Sequence, residues 1–452
     1  MTPSLSAARR PTMTAALAAC VLVSVPPLRV GAQFTPSPSL SEGPARDPAA
    51  PGVGSPGVGT IKNPEDLPSA AEVRAAVAPD AHAQRLIDAG LAYLKAQQSP
   101  DGSWGGEKAP PALTAIVLKA FVQDGQYDAT TEFVKRGYDK LLTHQVDNGG
   151  IYRDLLANYN TAIAVSALAA ADRPEYRDEI DKAVAYLKGL QWTPETRPEF
   201  DDASKGQQVV KDEKDPFYGG WGYGGRSRGA GRPDLSNVQM TMDALHDAGL
   251  KPGDPAYDRA IAFVTRTQNR SESNDQAWAG NDGGFVYGPA ADRQGESMAG
   301  EYTAPDGRRL LRSYGSMTYA GLKSFMYAGL GKDDPRVQAA WDWITKNWTL
   351  DENPGMRQNK PDQAQSGLYY YYHTLARALH AYGQPTITDP QGQVHDWRTE
   401  LINKVASLQR PDGSWAGDKR WMEDNPILVT SYVVLALQEA QQDLKARPAQ
   451  SK

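Results

Sequence analysis

Six stretches of the chain carry apolar residues on nearly every helical turn, at residues 113–122, 159–170, 237–248, 317–327, 371–382 and 429–438. Each contains a small residue followed by Leu or Phe: Ala120-Phe121, Ala167-Leu168, Ala244-Leu245, Ser324-Phe325, Ala378-Leu379 and Ala436-Leu437. Seven residues before that Leu or Phe stand Thr114, Thr161, Val238, Thr318, Tyr372 and Thr430. Apolar positions repeating over whole turns predict helices, and small residues recurring at one position predict close helix–helix approach. A more charged amphipathic pattern precedes each stretch and ends at Gln98, Gln145, Gln191, Gln268, Trp348 or Gln409. Gly-aromatic turns follow most of these anchors, as in Gly219-Gly220-Trp221 and Gly283-Gly284-Phe285. No strand pattern is evident.

The anchors lie 47, 46, 77, 80 and 61 residues apart, so a unit of about 46 residues repeats with later insertions. One helical hairpin cannot bury its apolar face alone, so the six must stack and close on one another. The expected fold is all-α, an (α/α)6 toroid over residues 69–443, with the less charged second helices inside and a disordered tail at 444–452.

The turns carry a resemblance. Gln98-Ser99-Pro100-Asp101-Gly102-Ser103-Trp104 and Gln409-Arg410-Pro411-Asp412-Gly413-Ser414-Trp415 match almost letter for letter. These blocks resemble the QW motifs of the prenyltransferase and squalene-oxidase repeat superfamily, which includes squalene–hopene cyclases and protein prenyltransferase β-subunits. The resemblance covers roughly residues 80–440 and implies an α/α toroid of the terpenoid cyclase and protein prenyltransferase kind. It implies structural roles for Gln98, Trp104, Gln191, Trp221, Gln268, Gln409 and Trp415: the Gln amides satisfying orphan groups at a neighbouring helix end, the Trp rings covering the joint.

The chemistry of that superfamily is less well supported. The Asp-x-Asp-Asp motif that protonates an alkene is absent, and Asp212-Glu213-Lys214-Asp215 has the wrong spacing. The diphosphate-ionising Asp-Asp-x-x-Asp motif is absent too, since Asp201-Asp202 continues into Ala203, Ser204 and Lys205. Prenyltransferase zinc needs a thiolate, and the one Cys of the chain is Cys20. Asp101-Gly102 and Asp412-Gly413 lack the alternating acids of an EF-hand and read as turns. No metal site or cofactor is implied.

The face of the inner helices turned away from the outer ones is read at −6, −2 and +1 from the shared Leu or Phe. It runs Ala115, Lys119, Val122; Ala162, Ser166, Ala169; Gln239, Asp243, His246; Tyr319, Lys323, Met326; His373, Arg377, His380; Ser431, Leu435, Gln438. Polar groups concentrate in the third to fifth repeats. The functional reading makes Asp243, His246 and His373 candidate acid–base partners. Lys119, Gln239, Tyr319, Lys323, Tyr370, Arg377 and His380 then line a binding cavity. The structural reading pairs Asp243 with Lys323 or Arg377 to neutralise a buried lumen. A net positive lumen would favour an anionic ligand, and Lys323 and Arg377 would oppose a carbocation. The insertions at 193–216, 271–312 and 350–367 are a second candidate surface.

Composition adds the setting. The chain has 452 residues, 48 Lys plus Arg and 54 Asp plus Glu, a net charge of −6. That balance gives no global attraction to nucleic acid, and one Cys excludes a disulfide framework. Arg9-Arg10, the apolar run at 15–25 and Val30-Gly31-Ala32 follow the order of an export signal over residues 1–32. The run is too short to be a transmembrane segment. A lipid anchor at Cys20, after Leu17-Ala18-Ala19, is the alternative. Loss of residues 1–32 removes three Arg and no acid, giving −6 − 3 = −9. Residues 33–68 are rich in Pro, Gly and Ser and read as a disordered linker.

Three functions follow as expectations. The first is an exported binding toroid that takes an anionic or amphipathic ligand, a small molecule or a glycan, into a central cavity without the superfamily's known catalysis. The others are an enzyme of isoprenoid substrates and an exported polysaccharide lyase-like enzyme.

Overall fold

The computed structural model describes residues 78–196, 210–224, 232–289 and 296–447. The expected export signal, Cys20, the linker, residues 69–77 of the expected ring, residues 197–209 of the first insertion and the tail from 448 lie outside the described residues.

Two kinds of α-helix alternate along the described chain. Helices α1 (Pro79–Ala96), α3 (Glu132–Leu142), α5 (Arg177–Gly189), α7 (Pro255–Thr265), α9 (Pro335–Lys346) and α11 (Trp397–Leu408) are the charged, amphipathic ones. Helices α2 (Pro111–Asp124), α4 (Ala157–Ala170), α6 (Leu235–Asp247), α8 (Gly315–Tyr327), α10 (Leu368–Tyr382) and α12 (Pro426–Ala446) are the apolar ones. Their starts are set locally. Asp254, Asp334 and Asn425 each cap a helix through the side-chain oxygen, and Pro255, Pro335 and Pro426 follow at the first helical position. Proline is tolerated there because that backbone N–H has no helical partner.

Packing then sorts the two kinds. α2 packs on α4, α4 on α6, α6 on α8, α8 on α10, α10 on α12, and α12 returns to α2, closing a ring. The amphipathic helices lie outside it: α3 on α2, α5 on α4, α9 on α8, α11 on α12, α1 against α12, and α7 against α6 and α8. Burial follows this order. α8 buries every residue except Met326, whereas α3 buries Val134, Gly137, Tyr138 and Leu141. The expected inner and outer assignment holds.

The turns between the rings share one construction. The Gln98 amide donates to Gly102 O at 3.0 Å and to Phe133 O of α3 at 2.8 Å. Gln145, Gln191, Gln268 and Gln409 repeat the pair of bonds, to Gly149 and Glu179, Gly219 and Ala256, Gly283 and Arg336, and Gly413 and Leu86. The last of these joins the final outer helix to the first. Trp104, Trp221 and Trp415 donate their indole N–H to Leu94 O, Leu187 O and Val405 O, in the last turn of the outer helix before each turn. The Gln amide bonds a carbonyl inside the next outer helix and the Trp indole one in the last turn of the outer helix before it, and Leu94 O and Leu187 O use their second lone pair for it, since each also accepts a backbone N–H. Thr114, Thr161, Thr318 and Thr430 accept from the backbone N–H of Trp104, Ile151, Phe285 and Trp415, which fixes the inner helix to its turn. In the fifth repeat Trp348 donates instead to Glu400 at 3.0 Å.

Two expectations need correcting. Two short antiparallel hairpins are present, β1 (Glu301–Thr303) with β2 (Arg309–Leu311) and β3 (Thr386–Thr388) with β4 (Val394–Asp396). They are three-residue strands made by tight turns at Gly307 and Gly392, below the length at which alternation shows in sequence. The tail boundary at 443 is also too early, because α12 continues to Ala446. Asp443 is buried between Arg398 and Arg447 and holds that last turn in place. No helix of the described residues is long and apolar enough to cross a membrane.

The turn construction makes a prediction. Gly219 and Gly249 both have left-handed φ, 81° and 92°. A Cβ at Gly249 would meet nothing within 4 Å, whereas one at Gly219 would lie 1.9 Å from Arg259 O. In urea denaturation Gly249→Ala should cost about 1 kcal/mol, and Gly219→Ala about 3 kcal/mol or more. Equal losses would show that the turn does not press on α7.

Candidate functional site

The charged members of the stripe expected to face the lumen converge. Lys119 of α2 lies 2.7 Å from Asp247 of α6. Asp247 also binds Arg377 of α10. The Arg377 Nε is 3.4 Å from Asp243 of α6 and donates to Tyr327 OH at 2.9 Å. Asp243 is 2.8 Å from Lys323 of α8, which also donates to Gln239. The result is a ladder of alternating charge, Lys119, Asp247, Arg377, Asp243, Lys323, crossing the ring through four inner helices. Below it Gln239 donates to Tyr370 OH at 3.0 Å, and Tyr370 meets Ser236 at 3.0 Å. Lys119, Gln239, Asp243, Lys323, Tyr370 and Arg377 are all buried.

The electrostatics follow from enclosure. Burial pushes Lys323 down to about 8 although Asp243 pulls it up. Burial alone would raise Asp247, but Arg377 and Lys119 outweigh it and hold the carboxyl well below the usual range. Burial would lower Arg377, yet Asp243 and Asp247 lift its pKa further above the ordinary value. Burial, reinforced by Lys323, Arg377 and Lys119, drives His373 well below the ordinary imidazole value, so it is neutral.

Above the ladder a cavity of about 610 Å³ opens along the ring axis. All six inner helices reach it, five with their last turns, through Gln123, Ala170, Asp247, Tyr327 and Ala381, and α12 with Glu439 and Gln442 ahead of its end at Ala446. Lys119, Arg377, His246 and His380 also line it, with Ala169, Met326 and Glu439.

The expected site residues thus divide. Lys119, Arg377 and His380 line the cavity, whereas Gln239, Lys323 and Tyr370 lie sealed beneath it. Tyr319 is a correction: it is fully buried, packed on Tyr371 at 5.6 Å between ring centres, and lines no cavity. The expected Asp243–imidazole partnership is not formed. Lys323 and Arg377 are the charged groups that meet Asp243 instead. His246 instead stacks on Tyr327 at 3.9 Å, with its Nδ1 3.7 Å from Asp247. His373 stacks on Tyr432 at 5.2 Å, and its Nδ1 is buried without a hydrogen-bond partner. Among the described residues no three His, Cys, Asp or Glu converge as a metal site would require.

The expected positive lumen is also corrected. The stripe by itself gives 3 − 1 = +2 from Lys119, Lys323, Arg377 and Asp243. Asp247 and Glu439, both lining the cavity, bring the count to 3 − 3 = 0. Asp247 escaped the stripe, yet it lies four residues after Asp243 and therefore on the same helix face. Gln442 was legible in the same way, one turn beyond Gln438.

No protein-family model matches the chain. A squalene–hopene cyclase of Bradyrhizobium diazoefficiens is 26% identical over 312 residues, 59% of this chain and 44% of that enzyme. The chain thus matches less than half the length of that relative. Among solved structures, the apo type II terpene cyclase MstE from Scytonema has a TM-score of 0.47 at 16% identity, covering 80% of this chain and 99% of that one. A D-mannose isomerase has a TM-score of 0.49 at 13% identity, covering 81% and 99%. An α-amylase from Clostridium perfringens has a TM-score of 0.46 at 12% identity, covering 80% and 98%. The closed order of paired helices makes the fold an α/α toroid.

The ladder predicts a pH dependence. Asp247 has a folded pKa below its unfolded value of about 4, so its stabilisation is complete above that pH and is lost as pH falls through the folded value. Stability should drop in acid more steeply for the natural chain than for Asp247→Asn. At pH 7 that variant should be less stable by about 3 kcal/mol, because Lys119 and Arg377 lose their shared counter-charge. Chemical denaturation at pH 2–7 measures both, and an identical acid limb would contradict the pairing.

Proposed function

We propose that this protein is an exported ligand-binding toroid that takes a small amphipathic molecule into the axial cavity and does not cyclise isoprenoids. The observation that carries this reading is the ladder, which occupies the lumen with three cations and two carboxylates. A polyene cyclisation chamber needs aromatic faces around a travelling carbocation, and buried Lys and Arg at its centre would repel that charge. The cavity above offers apolar wall from Ala169, Ala170, Met326 and Ala381 beside charged and amide groups. Its volume lies within the range of small-molecule sites. An anionic ligand is disfavoured, because the charges of Lys119 and Arg377 are already paired with carboxylates.

The second reading is an enzyme of terpenoid substrates, favoured by the likeness to a squalene–hopene cyclase. Fold likeness does not carry activity with it. Export is supported by Arg9-Arg10, the apolar run at 15–25 and the small residues at 30–32. The exported chain should begin at Gln33 by mass spectrometry, and a lipidated Cys20 would replace that assignment.

The test combines two assays. Thermal shift against a panel of amphipathic small molecules should find stabilising ligands, and Ala169→Trp, which fills the cavity, should abolish their effect. Incubation with squalene or geranylgeranyl diphosphate should leave both unchanged. Formation of a cyclic product would overturn the proposal.

A further inference from the structure

We infer that the ligand of the axial cavity carries a cationic group, an alkyl- or arylammonium, received by Glu439; this rests on the binding function proposed above. Three observations converge on it. The first is the direction of the inner helices. Five of them, α2, α4, α6, α8 and α10, end at the cavity, so their carbonyl ends face it. Each end is equivalent to about −0.5 of an elementary charge, about −2.5 for the five. The second is the state of the cations on the wall. Lys119 is bound to Asp247, and Arg377 is bound to Asp247, Asp243 and Tyr327. Each therefore already has a carboxylate counter-charge.

The third is Glu439. It projects from α12 into the cavity, is partly exposed, and has no hydrogen-bond or salt-bridge partner among the described residues. Its field reaches Arg377 and Tyr327 without a contact to either. The other nearby carboxylate, Asp443, is already held by Arg398 and Arg447. Glu439 is thus the one lining carboxylate whose charge is unspent. The side chains of the cavity sum to zero, the helix ends are negative, and the free counter-charge is an acid. A ligand that places an ammonium at Glu439 and its apolar body on Ala169, Ala170 and Met326 satisfies each surface with its opposite.

The experiment is calorimetric titration of the full chain with three probes of one shape: tryptamine, tryptophol and indole-3-propionate. At pH 8 unperturbed imidazoles are neutral and tryptamine is charged. Tryptamine should bind about tenfold more tightly than tryptophol, and indole-3-propionate most weakly, with the gap narrowing as salt is added. Glu439→Gln should remove the tryptamine advantage and leave tryptophol affinity and thermal stability unchanged, since Glu439 bonds nothing in the fold. Tighter binding of indole-3-propionate, or an unaltered preference in Glu439→Gln, would overturn the inference. Tryptophol binding that Ala169→Trp abolishes, without a charge preference, would overturn the cation assignment alone. Failure of all three probes to bind would count against the cavity as a binding site altogether.

Discussion

The ion-pair ladder across the lumen is the constraint on which the rest of the structure depends. A ring of paired helices leaves a central space, and this chain fills that space with charge rather than with apolar side chains. Removing one member leaves an uncompensated buried charge, so the five groups stand or fall together. Their reach depends on neighbours of modest size. Lys119 on α2 reaches Asp247 on α6 past the intervening α4, whose lumen face is Ala162, Ser166 and Ala169. Arg377 on α10 reaches the same carboxylate past α8, where Tyr327 accepts its Nε. The ladder therefore ties non-adjacent helices, a job that neighbour-to-neighbour packing cannot do. Lys323, buried at the far end of the ladder, lies beneath the axial cavity, and Lys119, Asp247 and Arg377 line it.

Buried cations near the carbonyl ends of five helices are in a favourable field. That field explains why the sequence tolerates Lys119, Lys323 and Arg377 so deep, and why they do not make the mouth positive. The outer ring does separate work. Its Gln amides fasten five of the turns to the next outer helix, Trp indoles fasten three to the preceding one, and the bond from Gln409 to Leu86 completes the circuit. Turn geometry and lumen chemistry thus use different residues, so a toroid can keep its turns while its interior changes function.

Much of this was legible in the sequence, and the reason is periodicity. Ala120, Ala167, Ala244, Ser324, Ala378 and Ala436 recur at one position because inner helices approach closely there, and all six are buried. The lumen stripe followed from the same register and correctly brought Lys119, Asp243, Lys323 and Arg377 together. What failed was the assignment of partners. Three residues per helix do not say which charge meets which across the ring, so Asp243 was set beside histidines when two cations reach it first. Asp247 was missed because the stripe stopped at His246, although the spacing from Asp243 placed it on the same face. Tyr319 shows the opposite error. A large ring at a lumen position can rotate between its neighbours, and here it packs on Tyr371. The cavity itself was not readable, since it is formed by where five separate helices end and a sixth runs past.

The central claim is that the lumen is closed by its own ion pairs and is not an open chamber. A double-mutant cycle on Asp247→Asn and Arg377→Gln, read by chemical denaturation at pH 7, tests it most directly. A buried, mutually dependent pair joining α6 to α10 predicts a coupling energy of about 2 kcal/mol or more. A coupling below about 0.5 kcal/mol, the level of a solvent-screened surface pair, would mean that water fills the ring and that the account is wrong.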